Sequence, residues 1–104
     1  MLNSIITNNL VSIGALCKKH KVESLYAFGS VCTDHFSESS DVDLLVTYFS
    51  DQIPEMDYAD NYFDLIEGLE KLLGKKVDLV SARFLRNPYF IERVDATKIS
   101  LYAA

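Results

Sequence analysis

Apolar residues recur along the chain in two rhythms, and each change of rhythm marks a change of element. Leu2, Ile6, Leu10, Ile13, Cys17 and His20 follow three- and four-residue steps, with Ile5 and Leu16 widening the stripe, which predicts an amphipathic helix from about residue 4 to residue 20. The segment "ESLYAFG" then reads as a short strand closed by Gly29, and "DVDLLVTYF" as a longer strand rich in β-branched and aromatic residues. Between them, "SVCTDHFSESS" is a polar loop that opens with a short helical turn. Helical spacing returns at Tyr58, Tyr62, Leu65, Leu69 and Leu72 and stops at Gly74, a natural C-terminal cap. "KKVDLVS" gives a third strand, "RNPYFIERVDA" a helix with Asn87 as N-cap and Pro88 at its first position, and "KISLYA" a short edge strand.

The resulting order, α-β-β-α-β-α-β, predicts an α/β (α+β) fold in which a β-sheet is covered by helices on at least one face. A direct β-β step rules out a purely parallel arrangement, so the sheet is expected to be mixed. No repeat or linker interrupts residues 1–104, which read as one domain.

Composition narrows the function. The chain is 49% hydrophobic and 24% charged, with only 4 Gly and 2 Pro, as expected of a globular domain. Ten Lys and Arg against fifteen Asp and Glu leave a formal charge of -5, which repels a phosphate backbone and argues against a nucleic-acid partner. A small nucleotide held through a metal is still compatible with that charge. Cys17 and Cys32 lack metal or redox spacing, and no basic leader or membrane-length apolar run is present, so a reduced, cytoplasmic protein with no membrane partner is expected. Cys17 belongs to the helical stripe and reads as core; His20 and His35 stand alone and read as structural or solvated.

The acids carry more information. Residues two apart in a strand share a face, so Asp41 and Asp43 are expected to project together while Val42, Leu44 and Val46 point into the core. Two such charges about 4 Å apart repel by roughly 4 kcal/mol at an effective dielectric of 20, and an exposed salt bridge returns at most about 1 kcal/mol. Protonation of one acid or a bound cation must offset this. Oxygen ligands without nearby Cys or His suit Mg²⁺ or Mn²⁺. Asp78, between the inward-facing Val77 and Leu79, faces outward and completes a three-carboxylate cluster if its strand lies beside the second. Gly29-Ser30, where a strand turns into a short helix, offers close backbone approach, amides and a hydroxyl to phosphate oxygens.

Gly29-Ser30, ten residues, Asp41-x-Asp43 and a later single acid, Asp78, together resemble the polymerase-β-like nucleotidyltransferase superfamily. The endings "KKVDLV" and "NPYFIERV" look like its minimal nucleotidyltransferases, similar to the antitoxins of HEPN/MNT toxin-antitoxin pairs. This resemblance implies a nucleotidyltransferase that moves AMP from ATP to a hydroxyl of a partner protein, the partner being an all-helical HEPN-type toxin. It implies Gly29 and Ser30 for the triphosphate, Asp41 and Asp43 for the metals, and Asp78 as a third metal-site acid that helps activate the acceptor. The alternative is a non-catalytic module that neutralises a helical toxin by contact. Many relatives follow Gly-Ser with a basic stretch, whereas this chain has "VCTD", with Thr33 and Asp34 in place of an Arg-Gly. Tyr58, Tyr62 and Phe63 read as core, and Arg83, Arg86 and Arg93 as solvated charges, with a phosphate or an acidic partner as the alternative for the three arginines.

Overall fold

A computed structural model describes residues 2–104. The chain forms α1 (Ser4–Thr7), α2 (Leu10–Lys19), β1 (Val22–Phe28), β2 (Val42–Tyr48), α3 (Tyr58–Leu73), β3 (Val77–Ser81), α4 (Pro88–Thr97) and β4 (Ile99–Ala103), with a 3-10 turn at Gly29–Cys32. The sheet order is β3-β2-β1-β4. β1 runs antiparallel to both β2 and β4, while β2 and β3 are parallel, so the sheet is mixed as the direct β-β step requires.

Strict alternation in β2 sends Val42, Leu44, Val46 and Tyr48 to the buried side, and Val77 and Leu79 of β3 join them. α2 and α3 cover this face and touch each other, closing a core that includes Ile6, Ile13, Cys17, Leu25, Ala27, Leu65 and Leu69. Burial pushes the Cys17 thiol up to about 12, so it stays neutral and behaves as a small apolar side chain. α4 instead packs against the end of β1 and the Gly29–Cys32 turn. Phe28 and Val94 are buried there, outside the main core cluster.

Local chemistry sets the element ends. Gly74 stops α3 in the left-handed region at φ 65°, and Asn87 caps α4 by accepting from the Tyr89 and Phe90 amides. β3 is an edge strand, and α3 covers its open side: the Val77 amide donates to Glu70 Oε2 at 2.9 Å, and the Tyr62 hydroxyl donates to the Leu79 carbonyl. His20 is structural, with Nδ1 3.1 Å from Asn61 Oδ1 and its carbonyl accepting from Asn61 Nδ2.

Three expectations require correction. The single helix over residues 4 to 20 is two helices, because Asn8 and Asn9 break it and Asn9 Nδ2 donates back to the Ile5 carbonyl at 2.7 Å. Leu10, next to the break, is consequently 38% exposed instead of core. Phe63 is 64% exposed; Tyr58 and Tyr62 take the inward positions on α3 and leave it outside. β2 begins at Val42, so Asp41 precedes the strand it was expected to open. Among the described residues, no helix is long and apolar enough to cross a membrane.

Candidate active site

Strand registry assembles the site. Because β1 and β2 are antiparallel, the end of β1 lies beside the start of β2, pairing Phe28 with Asp43. Because β2 and β3 are parallel, Asp43 pairs in turn with Asp78. One row across the sheet therefore reads Phe28, Asp43, Asp78, and both carboxylates project from the face opposite the core, since Val42, Leu44, Val77 and Leu79 on either side of them are buried.

α4 roofs this row. A cavity of about 460 Å³ is lined by Phe28, Gly29, Asp43, Asp78, Phe90, Arg93, Ala96 and Thr97. The Phe28 and Phe90 rings meet edge to face, with centroids 5.7 Å apart and planes at 87°. The Gly29 amide donates to Thr97 Oγ1 at 2.9 Å, which pins the helix to the turn.

Gly29 fits for two reasons. Its φ of 73° lies where a side chain is strained, and a Cβ there would stand 2.7 Å from Asp43 Oδ2. The missing side chain is what leaves room for the carboxylate. Ser30 is half-buried and does not line the cavity; its carbonyl accepts from the Thr33 amide and from Thr33 Oγ1, both at 3.0 Å. "VCTD" thus seals the turn: Thr33 closes it, and Asp34 is exposed on the wall of a separate hollow.

Asp43 is the strained charge of the site. Burial raises its carboxyl above the usual range, Asp78 and then Asp41 raise it further, and Arg93 acts in the opposite sense. Asp78 is exposed on the same face; Asp41 is exposed just before β2, outside the cavity wall but close enough for its charge to act on Asp43. Among the described residues no three His, Cys, Asp or Glu side chains form a ready-made metal cage. The donor set nevertheless suits a hard divalent cation: oxygen atoms only, excess negative charge, and an Asp43 carboxylate that forms no ion pair among the described residues.

Gly29, Asp43 and Asp78 thus share one cavity, with Ser30 and Asp41 on its margins. Arg93 and Thr97 were not among the expected site residues, yet both line it. The signal that could have found them is the spacing of Phe90, Arg93 and Thr97, which puts them on one helical face behind the Asn87-Pro88 start.

Known proteins share this fold. The family described as Polymerase beta, Nucleotidyltransferase matches residues 12–104. A candidate protein adenylyltransferase of Methanocaldococcus jannaschii is 38% identical over 77 residues, covering 74% of each chain. A solved minimal nucleotidyltransferase superposes with a TM-score of 0.74 at 32% identity, covering 95% of each chain. The fold also matches a structure of a tri-AMPylated HEPN toxin in complex with MNT antitoxin from Shewanella oneidensis, with a TM-score of 0.64 at 22% identity, covering 95% of this chain and 73% of that one. The chain belongs to the polymerase beta nucleotidyltransferase family.

Proposed function

We propose that this nucleotidyltransferase transfers AMP from ATP to a hydroxyl of a partner protein, and that the partner is an all-helical HEPN-type toxin. The observation that carries the reading is the registry of Asp43 with Asp78 beside Gly29, under a helix that leaves a nucleotide-sized cavity. The relatives named for protein adenylylation and the fold match to a toxin-antitoxin complex support the choice of AMP and of a protein acceptor.

Asp41, Asp43 and Asp78 would hold Mg²⁺ or Mn²⁺. Such a cation, when bound, neutralises triphosphate charge and relieves the repulsion among the acids. The Gly29-Ser30 turn lets the triphosphate approach the backbone closely, and the wall formed by Phe28, Phe90 and α4 keeps water from one side of it. Asp78, the more exposed acid, faces solvent where an acceptor would arrive. The acceptor oxygen bonds to the α-phosphorus, the bond to pyrophosphate breaks, and the hydroxyl proton passes to the Asp78 carboxylate. Placement matters, since about 1 Å of error can cost a hundredfold in rate.

One observation favours a second reading, neutralisation of the toxin by contact alone. The turn from Gly29 to Asp34 carries no Lys or Arg, and the Gly29 amide is already engaged by Thr97. Incubating the chain with an all-helical protein encoded beside it, ATP and Mg²⁺ or Mn²⁺, and recording intact masses, separates the two. An AMP-sized increment on the partner, abolished by Asp41→Ala, is the expected result; neutralisation without any increment, equally good with the variant, supports contact alone.

A further inference from the structure

We propose that Arg93 is the phosphate-anchoring residue of this site, supplying from α4 the positive charge that the Gly29-Ser30 turn lacks. The inference rests on the nucleotide-binding reading above and adds to it the group that meets the triphosphate.

Among the described residues that line the cavity, Arg93 carries the only cationic side chain, and it stands there with Asp43 and Asp78. A nucleoside triphosphate entering there brings several negative charges to a pair of acids. A divalent cation offsets part of that charge, and the segment from Gly29 to Asp34 offers no basic side chain to meet the rest.

The arginines of the chain also differ in what already occupies them. Arg83 is paired with Glu55 at 3.0 Å and lies over the Tyr58 and Phe84 rings. Arg86 donates to the Leu85 carbonyl at 3.0 Å. The Arg93 guanidinium takes part in no ion pair and no hydrogen bond among the described residues; only its backbone carbonyl is used, as an acceptor for Thr97 Oγ1. Its planar fork of donors is therefore open for a bidentate contact with phosphate. Arg93 also favours the ionised form of Asp43, so its field already reaches the acids.

The helix that carries it is fixed at both ends. Asn87 caps its first turn, Thr97 Oγ1 accepts from the Gly29 amide, and Phe90 rests against Phe28. Arg93 lies between these anchors, so its Cα is held at the cavity wall while its exposed side chain keeps freedom to follow a ligand.

The test is calorimetric titration of the wild-type chain, Arg93→Gln and Arg93→Lys with ATP in excess Mg²⁺ and, separately, with adenosine. Thermal melts confirm that each variant folds. We expect Arg93→Gln to weaken ATP binding by about 10- to 100-fold, as loss of a charge-assisted contact implies, to leave adenosine binding unchanged, and to flatten the salt dependence of ATP binding. Arg93→Lys should recover part of the loss. Unchanged ATP affinity in Arg93→Gln would overturn this assignment and leave the nucleotide site standing. Equal losses for ATP and adenosine would overturn it as well, because they would mark a structural brace. If the wild-type chain binds no ATP with Mg²⁺ present, both this assignment and the reading it rests on fall.

Discussion

The two faces of the sheet are built from alternate residues of the same strands, yet they live under opposite rules. On one face Val42, Leu44 and Val46 are fully buried beneath α2 and α3, with no polar atom to satisfy. On the other, one residue away, Asp43 and Asp78 share a row beneath α4, and Asp43 is pushed toward its neutral form. The first face is stabilised by removing apolar surface from water; the second concentrates like charge at the cost of stability. A one-residue slip of β2 would exchange the two, so the core that fixes the register also fixes the acids.

This contrast is broken most directly from the core side. Leu44→Ala removes a fully buried side chain with little room to collapse and should cost about 2–5 kcal/mol by urea denaturation. It should lower the folded population without changing how the remaining folded protein handles ligand. Gly29→Ala should cost about 1–3 kcal/mol, because its φ is 73° and its new methyl meets the Asp43 carboxylate. Unlike the core variant, it should also impair ligand binding in the fraction that stays folded, measured by titration well below the melting temperature.

Much of the fold was legible because its signals are local. Gly74, Asn87 and Pro88 announce their helix ends through their own backbone preferences, and alternation along "VDLLVTY" needs no tertiary information. The break at Asn8 and Asn9 was hidden, because the apolar stripe of residues 2 to 20 runs on unbroken across it. Phe63 was misplaced because its apolar ring suggests burial, although the stripe of Tyr58, Tyr62, Leu65, Leu69 and Leu72 leaves it one residue off the buried face. At the site, Asp43 and Asp78 were recognisable from the alternation of their neighbours. For Arg93 the spacing of Phe90, Arg93 and Thr97 shows a shared helical face, but that this face meets the acids is decided by the packing of α4 on the end of β1, a contact between segments far apart in sequence.

Tyr48 belongs to the buried face but carries a hydroxyl with no partner among the described residues, and its burial pushes the phenol well up. Tyr48→Phe should therefore raise stability by about 1 kcal/mol, read as a higher denaturation midpoint. It is the exception on the apolar face, as Asp43 is the stressed charge on the other.

Asp43 predicts a modest pH effect of defined sign. Its folded-state carboxyl is raised first by burial and then by Asp78 and Asp41, so the native chain binds more protons than the unfolded one between the ordinary carboxylate range and the raised value. Its contribution is most favourable below that window and is lost as pH rises through it. Asp43→Asn removes the loss, so its melting temperature should exceed that of the wild type at neutral pH, with the gap closing on acidification.

On the proposed function, the charged row is unstable by itself because a cation and a triphosphate complete it. Calorimetric titration with ATP tests it most directly, using wild type and Asp43→Asn, each with Mg²⁺ and with chelator. ATP should bind the wild type only when Mg²⁺ is present, and should bind far more weakly to Asp43→Asn, a variant that melts no lower than the wild type. ATP affinity that is equal with chelator present, or equal in Asp43→Asn, would contradict it.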